Sequence, residues 1–188
     1  GDRELMVYGE PAEPLEHVAL AMDHRHYPDG DQIINNHIQH VTLELDAARA
    51  LTGLALPGES RPRLMAVTLE DEAGVQTTVE LSGLYNVDGV SYDANRGDGN
   101  LDGGGAAFAA ELFPTGGELV CPIDATRWAL PGLEDGTLNF IRFQGQTVPV
   151  PQGNYRRMHL LITSVMGDFA GTVTLLYAAG DSSEVTLT

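Results

Sequence analysis

Apolar residues in this chain recur at every second position. That rhythm, broken at nearly every junction by proline or glycine, is its strongest constraint on fold. LEHVALAM sets Leu15, His17 and Ala19 against Glu16, Val18, Leu20 and Met22. HIQHVTLELD puts Val41, Leu43 and Leu45 on one face and Thr42 and Glu44 on the other. RLMAVTLE, VQTTVEL, NFIRF, YRRMHLLIT and GTVTLLY keep the same period, and AAGDSS between TVTLLY and EVTLT predicts a hairpin turn. Breaks fall at Pro57-Gly58, Pro114, Gly116-Gly117, Pro131-Gly132 and Gly153. Strands with one apolar face need a second apolar layer to cover it. The expectation is therefore all-β: a two-sheet antiparallel β-sandwich of about ten strands, jelly-roll-like, with little helix. DAARAL (46–51) and FAAEL (108–112) are each predicted to make no more than one helical turn.

Length and charge bound the rest. A chain of 188 residues suits one domain, 1–188, in which the polar stretch DEAGVQTTVE at 71–80 connects two halves of one fold. Ten basic residues face 27 acidic ones for a net charge of -17, and every basic residue is arginine. Such a surface repels phosphate backbones and anionic headgroups, so neither nucleic acid nor a membrane surface is expected as a partner. Neutral ligands such as sugars, and cations, remain compatible with it. One cysteine, Cys121, rules out an internal disulfide, and with no activating neighbour it reads as a buried, inert thiol. No apolar run approaches a membrane span, and no signal peptide is visible. The chain begins Gly1-Asp2, which we read as a fragment or processed form.

The segment YDANRGDGNLDGGG, 92–105, holds three aspartates, two asparagines and five glycines. DGNLDG (98–103) matches the first half of an EF-hand loop, but Ala109 stands where the bidentate glutamate belongs. Two readings follow. Asp93, Asn95, Asp98, Asn100 and Asp102 ligate a structural Ca²⁺, or the same residues make Asx turns that satisfy their own backbone. Five of the six histidines lie between 17 and 40: His17, His24, His26, His37 and His40. In an extended strand His24 and His26 share a face while His37 and His40 oppose each other, so a zinc site there needs a bend. Solvated or hydrogen-bonded histidines are the expectation.

LYNVDGVSYDANRGDGNLDGGGAAFAAELFP, with its N-x-D-G-x-x-x-D-x-N…D-G-G-G loop, resembles a module carried by bacterial glycoside hydrolases and related secreted proteins. GQTVPVPQGNYRRMHLLITSVMGDFAGTVTLLYA, HIQHVTLELD and RPRLMAVTLE fit the same resemblance. It implies an extracellular, non-catalytic, carbohydrate-binding accessory β-sandwich beside a neighbouring catalytic domain, or a purely structural spacer in that place. The segment order is reversed relative to such modules. That points to a permuted fold, cut between Thr188 and Gly1, whose strands at 15–22, 37–46 and 63–70 share sheets with those at 139–188. The rival is a separate body over 1–70.

A pyranose stacks its C–H face on an aromatic ring, and aromatics are few here. Trp128, in the loop-like ATRWALPG, and Tyr85, Tyr92 and Tyr27 are the platform candidates, with Asn86, Asp88 and Arg96 as hydrogen-bonding partners. For Trp128 a core plug between sheets is an equal reading. No G-x-S-x-G elbow, HExxH or opposed acid pair marks a catalytic centre.

Overall fold

A computed structural model describes residues 16–167 and 169–187 of the chain, so the expectation for Leu15 lies outside the described residues. A long hairpin opens it, β1 (Glu16–Tyr27) and β2 (Gly30–Glu44). Then come β3 (Leu51–Ala55), β4 (Pro62–Glu70), β5 (Gln76–Thr78), β6 (Val90–Ser91), β7 (Ala107–Ala109), β8 (Glu118–Val120) and β9 (Arg127–Ala129). β10 (Ile141–Arg142), β11 (Thr147–Gly153), β12 (Arg157–Ser164), β13 (Gly171–Tyr177) and β14 (Ser182–Leu187) complete the set. Among the described residues helix is limited to two 3₁₀ turns, Asp93–Asn95 and Ala110–Leu112. The second falls where FAAEL predicts a turn; at DAARAL the chain makes a simple hydrogen-bonded turn from Asp46 to Arg49.

The fold is an all-β sandwich of two sheets. One has eight strands in the order β10-β4-β12-β2-β1-β7-β6, with β5 beside β4, and the other has four, β11-β3-β13-β14. β8 and β9 pair separately, and β6–β7 is a parallel contact in an otherwise antiparallel set. Between the sheets Val41, Leu43, Leu64, Leu69, Met158, Leu160 and Ile162 pack with Leu51, Leu54, Val148, Val173 and Leu175. That is the inner face the alternation foretells.

A second core lies on the opposite face of the large sheet. Ile38, Met65, Ala66 and Leu161 pack there with Phe108 of β7 and with Phe113, Leu119, Trp128 and Phe140, carried on loops and the β8–β9 pair. Every residue of β4 from Pro62 to Glu70 is buried. This corrects the one-faced reading of RLMAVTLE: Leu64-Met65-Ala66-Val67 is a continuous apolar run because both faces are covered.

The two halves of the sequence interleave. β12 lies between β2 and β4, and β3 lies between β11 and β13. The rival separate body over 1–70 is therefore not what the chain forms. The stretch expected as a connector at 71–80 is largely a tight hairpin. Asp71 N–H donates to Val75 O, and β5 runs back along β4.

Candidate functional site

The glycine-rich loop links the first 3₁₀ turn to β7, and its polar side chains are turned onto the local backbone. Asp102 Oδ1 accepts from the N–H groups of Gly104 (2.7 Å) and Ala106 (3.2 Å), and Asn100 Oδ1 accepts from Gly105 N–H (2.9 Å). Asp98 Oδ2 accepts from Gly136 N–H at 2.7 Å, while Asn95 Nδ2 donates to Asp135 at 2.8 Å. Each of these side chains serves a different neighbour, and Asp93, Asp98 and Asp102 do not come together in any shared carboxylate cluster among the described residues. The contacts of Asp102 and Asn100 are the Asx turns of the second reading of this loop. Gly99 is required by space: a Cβ there would lie 2.6 Å from Ala107 Cβ and 2.7 Å from Val90 O.

The sugar-binding candidates also divide. Trp128 sits on β9, not in a loop, and is 0% exposed. Its Nε1–H donates to His159 O at 3.4 Å, and its ring meets His40 edge-on at 4.7 Å. No face remains for a ligand, so the platform reading of Trp128 is corrected to the core plug. Tyr85 is half-buried, donates from its hydroxyl to Met65 O at 2.9 Å, and has its phenol raised by burial. Asn86 clasps β10, donating to Arg142 O (3.1 Å) and accepting from Arg142 N–H (2.7 Å). Asp88 accepts from Asn139 Nδ2 at 3.2 Å, and burial raises its carboxyl above the ordinary range. Tyr27 carries Arg25 over its ring at 5.1 Å. Of the predicted set, Tyr92 alone is well exposed, at 40%.

Tyr92 borders a groove of about 500 Å³ whose wall includes Glu111, Phe113, Leu130, Pro131 and Leu133. Phe113 is buried and supplies an apolar floor, while Glu111 is exposed. Glu111 also belongs to a second cluster, centred on His26. This ring is 0% exposed, and its Nδ1 lies 3.1 Å from Ser91 Oγ. Its Nε2 points at three carboxylates: Asp93 Oδ1 at 3.5 Å, Asp31 Oδ1 at 3.7 Å and Glu111 Oε2 at 3.9 Å. Arg96 donates to Asp31 at 2.8 Å and also to Asp93, and the hydrogen bond from Arg96 holds the Asp31 carboxyl below its ordinary value. So Arg96 and Asp93, assigned to different ligands by sequence, stand in one cluster. Asp31, Ser91 and Glu111 carry no sequence signal. They lie on β2, on β6 and in the second 3₁₀ turn, and only the order β2-β1-β7-β6 brings them to His26.

A second pair of histidines is fully interior. His40 Nε2 lies 2.9 Å from His159 Nδ1, and Thr42 Oγ1 is 3.0 and 3.1 Å from the same two nitrogens. The outer nitrogens, His40 Nδ1 and His159 Nε2, have no hydrogen-bond partner. They face Asp124 at 3.7 Å and Glu70 at 3.9 Å. A neutral imidazole carries one proton. Two neutral rings that share a hydrogen bond through their inner nitrogens therefore leave one outer nitrogen bare before a carboxylate. Burial nonetheless favours the neutral form. Desolvation lowers His40 to about 4 against the opposing pull of Asp124, and it lowers His159 against Glu70. The expectation of hydrogen-bonded histidines describes this pair, although its second member, His159, lies far from the 17–40 cluster. Cys121 is buried, and burial raises its thiol.

The profile of the AziU2-like beta-sandwich domain family matches residues 75–188, more than half of the chain. No curated protein and no solved structure matches it.

Proposed function

The chain belongs to the AziU2-like beta-sandwich domain family, and from that premise we propose that it is a non-catalytic binding module whose ligand is an oligosaccharide seated in the groove beside Tyr92. The observation that carries this reading is the groove itself. Its volume of about 500 Å³ lies in the usual range for ligand sites. An exposed tyrosine ring flanks an apolar floor, and the Glu111 carboxylate on the wall accepts hydrogen bonds from hydroxyls. The resemblance of the 84–114 segment to modules of secreted glycoside hydrolases directs the search toward polysaccharides and toward a catalytic neighbour in the same extracellular protein.

The second reading, a structural spacer that binds nothing, is favoured by the burial of Trp128 and by the self-satisfied Asx loop. Affinity electrophoresis on plant and microbial polysaccharides, followed by calorimetry with oligosaccharides, separates the two. Binding is expected to weaken about thirtyfold in Tyr92→Ala, a hot-spot loss of about 2 kcal/mol. A panel that retards nothing leaves the spacer, and binding indifferent to Tyr92→Ala removes the groove as the site.

A further inference from the structure

We propose that His26, Asp93 and Glu111 form a binding site for one divalent transition-metal ion, of which Zn²⁺ fits best, with Asp31 at its edge. The site shares Glu111 with the groove beside Tyr92, but its donors are argued without the sugar reading. Three elements of the chain deliver these residues: β1 and the two 3₁₀ turns. The acidic cluster alone would not suffice. What singles it out is His26 Nε2, on a ring with no solvent exposure, which lacks any hydrogen-bond partner and points into the carboxylates.

The distances suit a shared ion better than hydrogen bonds. At 3.5 to 3.9 Å the three oxygens are too far for a good N–H···O bond to Nε2. Donors bound to one zinc at about 2.1 Å in tetrahedral geometry lie about 3.4 Å apart. The donor atoms of His26, Asp93 and Glu111 lie within 4.8 Å of one another, so the two carboxylates move inward to close on the ion and leave the fourth position to water. The other ring nitrogen is already placed as ligating histidines require. Nδ1 lies 3.1 Å from Ser91 Oγ, itself fully buried, and in the tautomer whose Nδ1–H donates to that oxygen the Nε2 lone pair is turned inward. In that tautomer a cation is what separates the lone pair from the anionic groups it faces.

Charge agrees. Three carboxylates against the single Arg96 guanidinium leave a local charge of -2 when His26 is neutral, which a divalent ion cancels. Arg96 sits at the rim, where its side chain is 30% exposed and has room to retreat as the ion enters. An imidazole among the donors selects a transition ion over Ca²⁺, which takes six to eight oxygens.

The test is calorimetric titration of the 188-residue chain with Zn²⁺ and, in parallel, with Ca²⁺, followed by elemental analysis after dialysis. One Zn²⁺ per chain is expected, undisturbed by excess Ca²⁺. Asp93→Asn and Glu111→Gln, both at exposed positions, should each weaken it on the order of a hundredfold. Asp102→Asn, in the same loop but outside the cluster, should leave it unchanged. Arg96→Gln should tighten it by removing the competing guanidinium. Co²⁺ offered in place of Zn²⁺ should give the intense visible bands of four-coordinate cobalt, absent in Asp93→Asn. His26→Gln probes the nitrogen donor, and should it fail to fold, the two exposed carboxylate variants still decide. Sub-stoichiometric Zn²⁺, binding that survives both carboxylate changes, or equal affinity for Ca²⁺ would overturn the proposal.

Discussion

Acidification should loosen this fold through His40. The ring is buried and its folded pKa is depressed to about 4 from an ordinary 6.5, chiefly by desolvation. The sign follows from linkage. The unfolded chain binds a proton at His40 near pH 6.5 and the folded chain only near 4, so the unfolded state holds more protons between those values. Stability then rises with pH across the window. The contribution is fully present above 6.5 and is lost as pH falls to about 4. At about 1.4 kcal/mol per pH unit, the interval amounts to about 3 kcal/mol. That is a large part of the 5–15 kcal/mol typical of a domain. His159 and His37, also lowered by burial, act in the same direction. One effect opposes them: protonating carboxylates on a chain of net charge -17 relieves self-repulsion. The comparison must therefore be with a variant carrying the same surface. His40→Gln keeps an amide to hydrogen-bond His159 and Thr42 but does not titrate. Urea unfolding at pH 7 and pH 4 should show the native chain losing about 3 kcal/mol more than His40→Gln over that interval. Equal losses in the two proteins would refute the reasoning, as would an imidazole resonance of His40 that titrates near its ordinary value by NMR.

Trp128→Ala should cost about 3–5 kcal/mol and broaden or abolish the cooperative melt, because it empties a site walled by His40 and the β12 backbone. The native Trp128 fluorescence should stay constant on adding any oligosaccharide. Gly99→Ala should lower the melting temperature far more than Gly103→Ala. At Gly99 a Cβ strikes the Val90 backbone, whereas at Gly103 it meets nothing within 4 Å and suffers only the positive φ of 84°, worth about 1 kcal/mol. Differential scanning calorimetry of the two variants checks this.

The β-period announces the sheets because alternate burial is local. Val41 and Leu43 face inward for the same reason they were paired in the sequence. The third layer is not local. Nothing in RLMAVTLE says that Met65 and Ala66 will be covered by Trp128 and Phe140, since that depends on where loops far along the chain return. Trp128 illustrates the ambiguity: ATRWALPG is punctuated like a loop, yet β8 captures it as a strand. The candidate site was legible in its parts only. His26 and Asp93 stand out by composition, but Asp31, Ser91 and Glu111 acquire meaning through strand order, which a pattern of period two does not encode.

The interleaving of the halves makes the exposed turn from Glu72 to Val75 a natural place to divide the molecule. A piece ending there keeps β2 and β4 without the β12 that joins them, and a piece beginning there keeps β11 and β13 without the β3 that joins them. Each piece carries the missing central strand of the other. Expressed as two polypeptides, they would acquire structure only on meeting, so that association and folding become a single event. Fused to two candidate partners, such a pair would report their proximity by the appearance of a folded sandwich.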